Sequence, residues 1–414
     1  MNADAPADRA PGEFEIFLVA VEESGDRLGG ALMRALRQRS AEPLRFSGIG
    51  GRAMTAEGLD SLLPTEDFSI VGFAAIPGRL PRILGHMVKT VRAVLARRPH
   101  ALVIIDSPDF TLRLARFVRW FDRSIPIVDY VSPSVWAWRS GRARSMRRSI
   151  DHVLALLPFE PEVHRKLGGP PCTYVGHPLI EEASKLRSSA GEAARRLADP
   201  PVVLAMPGSR SAEVIRLAGI FGETLALVTQ RVGPIEVVVP TVPHLLARVT
   251  EAVAGWPIKP RVVVEQHDKE AAMRVARAAL AKSGTTTLEL AIAGVPMVAA
   301  YKGSAIEAMV ARQLVKVPSF ILANLVIGEN VVPEFIQDKC TSDRLADALT
   351  PLIGDTPQRH RQIEAFATLD SIMEIGSHAP AARAADIVLG SLRRADADSD
   401  KPLAGAAAAG RLSP

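Results

Sequence analysis

Short apolar runs alternate with segments of helical periodicity along most of this chain. Runs rich in Val, Ile and Leu, each followed by polar or glycine-containing residues, occur at 15–21, 101–105, 126–131 and 150–157. Continuous apolar runs of this length are typical of strands buried on both faces of a parallel sheet. The segment after the first run has helical spacing, with apolar residues at Leu28, Leu32, Ala35 and Leu36. The pattern therefore predicts alternating strands and helices.

The second half of the chain repeats this alternation. Predicted strands lie at 201–206, 235–240, 261–265, 276–281 and 296–300, and predicted helices at 305–315, 344–353, 358–375 and 381–392. Residues 181–200 are polar and predict a linker that contains a helix. We therefore expect an α/β protein with two parallel-sheet domains, at 14–180 and 201–372. A chain of 414 residues fits two domains of roughly 150–200 residues each.

The two ends of the chain have compositions that cannot build a core. Residues 1–13 are rich in Ala, Pro and Asp, carry no signal-peptide pattern, and predict a disordered leader. Residues 394–414 predict a disordered tail, preceded by C-terminal helices at 373–393. The D-x-D pattern at 396–400 lies inside that tail, so we do not interpret it as a metal site.

An amphipathic helix is predicted between Val71 and Arg98. Packing on the sheet is the favoured interpretation for the helix as a whole, because a basic solvated back is common on core helices. A basic amphipathic helix can also lie on a bilayer, and its N-terminal end is the expected contact. The residues assigned to that membrane contact are Val71, Phe73, Ile76, Leu80, Ile83 and Leu84.

Composition narrows the choice of partner. A net charge of +5 suits phosphates, anionic lipid head groups or nucleic acid. Three Tyr and four Trp argue against an aromatic platform for nucleic acid. Cys172 and Cys340 are isolated and predict free thiols in a reducing cytoplasm, and the His spacing predicts no metal centre. Since no apolar window reaches the ~18–20 residues of a membrane span, any membrane contact is expected to be peripheral.

Candidate chemistry in the first half lies where predicted strands end. Asp106 and Asp109 follow the run at 101–105, and carboxyl ends of parallel strands form ligand crevices. The loop after the first strand carries Glu22, Ser24 and Asp26, although an ordinary capped connection would explain it equally well. The loop after 126–131 holds Ser132, Trp136 and Trp138, and five Arg follow between residues 139 and 148. That basic segment suits phosphate or acidic head groups, or is simply a solvated face.

Two loops in the second half are candidate anion sites. Gly208, Ser209 and Arg210 lie between a strand and a helix, and Ser283, Gly284 and Thr285 occupy the same place after the strand at 276–281. Glu289 lies one turn further along the second helix, from where it could reach ribose hydroxyls. Helix capping alone would also explain the Ser and Thr residues.

These motifs together resemble the lipid-A-disaccharide synthase family. The matching stretches are Glu22-x-Ser-Gly-Asp26, Asp106-Ser-Pro-Asp-Phe110, Tyr130-Val-Ser-Pro-Ser-Val-Trp-Ala-Trp-Arg139, Leu156-Leu-Pro-Phe-Glu160, Gly176-His177, Pro207-Gly-Ser-Arg210, Ser283-Gly-Thr285 with Glu289, Leu314-Val-Lys-Val-Pro318 and Asn324. They cover roughly residues 16–375 in the family's order. The sequence departs from the family pattern at Val21, Glu23, Thr111 and Ala323.

The resemblance implies a GT-B fold, in which two Rossmann-like domains face a central cleft and the last helices cross back to the first domain or to a partner subunit. It implies an inverting hexosyltransferase that joins UDP-2,3-diacylglucosamine to 2,3-diacylglucosamine 1-phosphate, with no metal and no cofactor. It also implies a peripheral location on the cytoplasmic face of the inner membrane, no nucleic-acid partner, and allows a homodimer. Asn324 joins the UDP-binding set on this basis.

The expected mechanism is direct displacement with a general base. Asp106 is our first candidate for that base and Asp109 the second. Gly208, Ser209, Arg210, Ser283, Gly284 and Thr285 would hold the diphosphate and Glu289 the ribose; Glu22, Ser24, Asp26, Ser132, Trp136 and Trp138 would form the acceptor side. Two alternatives remain open: another GT-B UDP-sugar enzyme, such as a UDP-N-acetylglucosamine 2-epimerase, and a non-catalytic nucleotide-sugar or lipid-binding protein.

Overall fold

The computed structural model describes residues 12–68, 76–304, 319–376 and 379–399, with the side chains of Glu66, 76–80 and 393–399 excepted. Within these ranges the chain forms two parallel sheets flanked by helices. The predicted helix at 305–315, and the predicted membrane contacts Val71 and Phe73, lie outside the described residues.

The first sheet has seven described strands in the order β3-β2-β1-β4-β5-β6-β7. They are β1 (Phe14–Ala20), β2 (Leu44–Ile49), β3 (Asp60–Ser61), β4 (Ala101–Ile105), β5 (Ile127–Tyr130), β6 (His152–Ala155) and β7 (Cys172–Tyr174). The helices between them are α1 (Glu23–Arg39), α2 (Arg52–Ala56), α3 (Ile76–Arg97), α4 (Pro108–Phe121), α5 (Gly141–Met146) and α6 (Glu160–Leu167), with a 3₁₀ helix at Thr65–Phe68. The strand order reverses between β1 and β4, where a parallel sheet opens a crevice at its carboxyl edge.

The second sheet has six described strands in the order β10-β9-β8-β11-β12-β13. They are β8 (Val202–Met206), β9 (Glu236–Pro240), β10 (Arg261–Val263), β11 (Ala278–Lys282), β12 (Met297–Tyr301) and β13 (Glu334–Ile336). Its helices are α9 (Ser211–Val232), α10 (Leu246–Val253), α11 (Gln266–Val275), α12 (Thr285–Ile292), α13 (Leu322–Ile327), α14 (Ser342–Ile353), α15 (Pro357–Ala367) and α16 (Leu369–Ile372), with 3₁₀ helices at Pro243–Leu245 and Gln337–Lys339. The strand order reverses between β8 and β11, which places a second crevice there.

Both faces of each sheet are covered because the strands are apolar throughout. In β1, Ile16 and Leu18 face a core beneath α1, whereas Phe17 and Val19 face a core beneath α3 and α4. All four side chains are almost completely buried. This is the burial that continuous apolar runs predicted.

The segment predicted as a linker, 181–200, falls in two helices, α7 (Leu179–Leu186) and α8 (Ala190–Leu197). Helix α8 begins with a capping box in which Ser189 and Glu192 bond each other's backbone N–H groups. The buried side of α7 joins the core of the second sheet, because Leu179 and Ala183 lie in that cluster.

The last helix, α17 (Pro380–Ser399), packs against α1 of the first domain. Ala384, Val388 and Leu392 join the core cluster that contains Leu32 and Leu36. Near the end of α1, Arg39 donates two hydrogen bonds of 2.6 Å to the carboxylate of Asp386. The chain therefore crosses back to the first domain within one molecule.

The structure differs from the sequence-based prediction in several elements. Strands β2, β3, β7 and β13 were not predicted, because β3, β7 and β13 are short and β2 contains Ser47 and Gly48. The helix predicted at 358–375 breaks at Thr368 into α15 and α16. Helix α17 runs to Ser399, into the segment predicted as a disordered tail, since its Ala and Arg residues favour a helix. Within the described ranges, no helix is both long and apolar enough to cross a bilayer.

Candidate active site

A polar cluster occupies the crevice between β1 and β4. The Ser24 hydroxyl donates to Oδ2 of Asp106 at 3.3 Å, and the Ser107 hydroxyl donates to Oε1 of Glu22 at 2.7 Å. Glu22 and Ser24 follow β1, whereas Asp106 and Ser107 follow β4, so the cluster joins the two strands at the switch point. Three of the predicted site residues, Glu22, Ser24 and Asp106, therefore meet there.

The turn that presents Asp106 is held in an uncommon conformation. Asp106 and Ser107 have φ values of 56° and 48°, in the left-handed region that non-glycine residues seldom adopt. The Thr111 hydroxyl lies 2.7 Å from the carbonyl oxygen of Asp106, to which it donates, and 3.1 Å from that of Ser107. Backbone strain of this kind concentrates at functional sites, where the surrounding structure holds it in place.

Asp109, the second candidate base, lies on the first turn of α4 and points toward arginines. Its Oδ1 is 2.8 Å from Arg142 and 3.4 Å from Arg139. A cavity of about 360 Å³ lies beside Asp109. We call it the arginine cavity, because Arg113, Arg116, Arg139 and Arg142 line it. The carboxylate of Asp109 is thus engaged in ion pairs with arginines, whereas that of Asp106 accepts from a serine hydroxyl.

Some residues predicted on the acceptor side have structural partners instead. Asp26 is buried and accepts hydrogen bonds from the backbone N–H groups of Gly51, Ala53 and Met54, which caps α2. Ser132 is buried and shares a hydrogen bond of 2.9 Å with Nε2 of His164. Asp26 therefore holds the backbone at the start of α2, and Ser132 holds His164.

The two Trp side chains of the 132–139 loop differ in environment. Trp136 is partly buried, meets Phe159 edge to face, and packs against the core cluster of the second domain. Its indole N–H donates to Oε1 of Glu160 at 3.2 Å. Trp138 is more exposed, and the guanidinium of Arg139 lies 4.3 Å from its ring centroid. Trp136 thus joins the domains, while Trp138 packs against Arg139 and Arg142.

Two buried carboxyl groups lie behind Asp106. Asp129 on β5 pairs in register with Ile104 of β4, and no hydrogen-bond partner is found for its Oδ2 among the described residues. Burial raises the pKa of Asp129 well above its ordinary value, and the charges of Asp106 and Glu160 add to this shift. Burial also raises the pKa of Glu160 to about 7, against hydrogen bonds that lower it. The sequence analysis assigned a role to neither group.

The second crevice, between β8 and β11, is a cationic pocket of about 290 Å³. Five predicted residues line it: Gly208, Ser209, Arg210, Gly284 and Thr285. Lys269 and Lys282 also line it, and neither was predicted. Lys282 is the last residue of β11, so its position at the end of an apolar run could have predicted it as a site residue. Lys269 lies on α11, and only the tertiary structure brings it to the pocket. Three cationic side chains beside the start of α12 suit a diphosphate.

The loop at 208–210 was predicted as an anion site, and its backbone is held by an internal carboxylate. The backbone N–H groups of Ser209 and Arg210 both donate to Oε2 of Glu213, at 3.1 and 3.2 Å. Gly208 has φ 133°, and a Cβ there would lie 2.4 Å from that same oxygen, so glycine is required. Glu213 also lies 2.9 Å from Nζ of Lys282. An internal carboxylate therefore caps α9. The part of the pocket at the start of α12 is the place that this leaves for an anion.

The three remaining predicted residues of the second domain each have different hydrogen-bond partners. Both oxygens of Glu289 bond Lys269, at 2.8 and 3.0 Å. The Ser283 hydroxyl is buried and lies 3.2 Å from Glu334. The amide of Asn324 is buried, donating to Ser319 and to the carbonyl of Val332 and accepting from the Val332 N–H. Asn324 thus holds the backbone just before β13.

Solved structures share this two-domain architecture. The calicheamicin glycosyltransferase CalG4 superposes with a TM-score of 0.57 at 17% identity, covering 92% of this chain and 99% of CalG4. Acinetobacter baumannii MurG gives 0.55 at 14% identity, covering 92% and 100%. UDP-GlcNAc 2-epimerase from Neisseria meningitidis gives 0.56 at 11%, covering 92% and 99%. The chain is a GT-B protein, with two Rossmann-like domains facing a cleft.

Sequence comparison identifies the family to which the chain belongs within the GT-B class. The family model described as Lipid-A-disaccharide synthetase matches residues 16–388. The lipid-A-disaccharide synthase of Nitrobacter hamburgensis is 60% identical over 374 residues, which are 90% of this chain and 94% of the relative. That of Rhodospirillum centenum is 42% identical over 378 residues, covering 90% and 94%. The chain belongs to the lipid-A-disaccharide synthase family and is a hexosyltransferase of lipid A biosynthesis; the predicted family and fold are confirmed.

Proposed function

We propose that the protein transfers 2,3-diacylglucosamine from UDP to the 6-hydroxyl of 2,3-diacylglucosamine 1-phosphate, with inversion at the anomeric carbon. The products are the β-1′,6-linked disaccharide 1-phosphate and UDP. The observation that carries this proposal is the contrast between the two crevices: one presents a carboxylate, Asp106, and the other three cationic side chains. A base on one wall and diphosphate neutralisation on the other are what direct displacement requires.

The donor's diphosphate would lie between Arg210, Lys282 and the start of α12. Arg210 is 81% exposed, so its guanidinium can move from Glu213, 3.7 Å away, toward a ligand. Thr285 and Gly284 line the same pocket, and the N-terminus of α12 favours negative charge. As the acceptor oxygen bonds to the anomeric carbon, the bond from that carbon to the diphosphate oxygen breaks, and these groups would stabilise the charge that builds on UDP. Glu289, held by Lys269, would accept hydrogen bonds from the ribose.

The acceptor would lie on the first domain with its 6-hydroxyl at Asp106. Ser24 fixes one oxygen of that carboxylate and the Ser107 N–H fixes the other, at 2.8 Å. Asp109 follows Asp106 by three residues in the sequence. The arginine cavity beside Asp109 suits the acceptor's 1-phosphate, because guanidinium groups bind phosphate in two-point contacts. Trp138, which packs against Arg139, would cover the sugar.

Membrane association belongs to the same proposal, because both substrates carry acyl chains. The N-terminal end of α3 is the contact that we propose for the cytoplasmic face of the inner membrane. Leu84 is 56% exposed there, although Ile83 packs partly against the core under α3. The side chains of Ile76 and Leu80 are not described. A homodimer would follow if α17 made its contacts with the first domain of a second copy.

Release of UDP from purified full-length protein tests this function. The donor is supplied with and without its two acyl chains, and the acceptor is supplied in detergent. We expect rapid UDP release only with the acylated donor and acceptor together. Equal release with UDP-N-acetylglucosamine would favour another UDP-sugar enzyme. Absence of release with every lipid acceptor, while UDP binds, would favour a non-catalytic binding protein.

A further inference from the structure

Helix α4 exposes an aromatic cluster on the outside of the first domain. Trp120 is the most exposed large apolar side chain in the described part of the chain, at 79%, and Phe121 is 69% exposed. Their rings stack, with centroids 6.2 Å apart and planes within 17°. Phe117, one turn earlier, is 43% exposed. Burying such aromatic area is strongly favourable, so leaving it in water needs an explanation.

The same side of α4 is basic. Arg113 precedes Phe117 by four residues, Arg116 precedes Trp120 by four, and the two Arg are three apart, which places all four on one helical face. Both Arg are exposed, and both line the arginine cavity near Asp109. In sequence, α3 contains no acidic residue and α4 contains only Asp109. The charge of this layer is therefore strongly positive and complements an anionic surface.

Helices α3 and α4 form one layer. Both contribute to the core on the same face of the first sheet, and both connect parallel strands, so they run side by side in the same direction. Leu84 and Val88 of α3 are exposed on this layer, at 56% and 48%. Helix α4 therefore lies beside the apolar surface at the start of α3. This contact was not predicted from the sequence.

We propose that the outer surface of α3 and α4 lies on an anionic lipid bilayer, with Phe117, Trp120 and Phe121 inserted at the head-group level. This inference deepens the proposed function, whose substrates are lipids, and adds a second contact to the start of α3. Trp is favoured at membrane interfaces because its ring is apolar and its N–H is polar. Arg113 and Arg116, on the same face, bind the phosphates of anionic lipids. Because α4 spans about 20 Å, such a surface reaches from the aromatic cluster to the end of the helix that holds Asp109.

Vesicle flotation with the full-length protein tests this assignment. The vesicles contain phosphatidylcholine with or without about a third of phosphatidylglycerol. The test variant is Trp120→Ser with Phe121→Ser, and the matched control is Leu197→Ser with Ile215→Ser, two exposed apolar residues that lie on α8 and α9. We expect the test variant to lose about tenfold or more of its binding to anionic vesicles, and the control to bind like the parent. Arg113→Gln with Arg116→Gln should weaken binding to anionic vesicles and leave binding to neutral vesicles unchanged.

Vesicle binding by the aromatic variant equal to that of the parent would overturn the proposal. So would loss of self-association without loss of vesicle binding, measured by light scattering, since the cluster would then contact a second copy. Single Trp120→Ser, with thermal unfolding measured alongside, excludes misfolding as the cause, because this side chain is mostly outside the core. UDP release from detergent-dispersed substrates is measured separately. Its absence would overturn the proposed function and leave the flotation result unaffected.

Discussion

Ser24 and Asp106 are 82 residues apart in sequence, and the hydroxyl of one donates to the carboxylate of the other at 3.3 Å. The contact joins the loop after β1 to the loop after β4, which are neighbours because the strand order reverses between them. It orients Oδ2 of Asp106 and leaves that carboxylate partly exposed. A base that is positioned but accessible fits proton removal from a substrate hydroxyl.

Replacing that base should separate turnover from binding. We expect Asp106→Asn to lower the rate of UDP release by roughly a hundredfold or more, because an amide cannot accept the proton. UDP affinity should stay within a few-fold, since the nucleotide pocket lies on the other domain. Asp109→Asn is the comparison and should lose less. Near-normal turnover by Asp106→Asn, measured under saturating substrates, would remove Asp106 as the base.

Lys282 provides a test of the diphosphate pocket. Loss of one charged hydrogen-bond partner costs about 1.5–3 kcal/mol, so Lys282→Met should weaken UDP binding by roughly ten- to a hundredfold. Lys259→Met is the control, because Lys259 is exposed in the loop before β10, at the opposite edge of the sheet. Isothermal titration with UDP measures both. If the two variants bound UDP equally well, the diphosphate would not lie at Lys282.

Glu289 tests the position of the ribose. In Glu289→Ala the two hydrogen bonds from Lys269 are lost together with the proposed ribose contacts. We expect UDP affinity to fall several-fold, and affinity for inorganic diphosphate to change less, because diphosphate has no ribose. Competition titration gives both values. Unchanged UDP affinity would show that the ribose binds elsewhere.

Glu160 makes stability depend on pH. Its pKa is raised by burial from 4.5 to about 7 in the folded protein, so the folded state keeps a proton that the unfolded state releases. Stability is therefore lost as pH rises from about 4.5 to about 7, by roughly 3 kcal/mol in total. Glu160→Gln cannot titrate. Relative to the parent, its free energy of unfolding should increase by roughly that amount between about pH 4 and pH 8.

Urea unfolding of both proteins across this pH range measures the difference. The pKa of Asp129 is raised in the same direction, and the charge of Glu160 contributes to that shift, so the difference reports Glu160 together with its coupling to Asp129. A constant difference between the two proteins would contradict the raised pKa.

The contact between α17 and α1 should depend on apolar packing more than on charge. Leu392 is almost fully buried in the first domain's core, and Leu392→Ala should cost about 2–5 kcal/mol of unfolding free energy. The pair of Arg39 with Asp386 is about half exposed, so Asp386→Ala should cost less than about 1 kcal/mol. Denaturant titration compares them. Equal costs would mean that α17 is held mainly by its charges.

Local sequence patterns predicted much of this protein. Continuous apolar runs predicted β1, β4, β8 and β11, because burial on both faces of a parallel sheet demands them. Polar residues directly after those runs predicted which loops meet at the crevices, since the parallel strands of such a sheet end at one edge. The specific motif from Tyr130 to Arg139 carried the family resemblance.

Other features depend on residues far apart in sequence. Lys269 lines the cationic pocket because α11 lies beside β8, and Glu213 accepts from the backbone N–H groups of Ser209 and Arg210. Asp26 and Asn324 match a motif, yet their hydrogen bonds hold backbone. A motif records residue type and spacing but not the direction of a side chain. Exposure of Trp120 likewise follows only from packing, because the pattern of α4 does not show which apolar residues the core leaves uncovered.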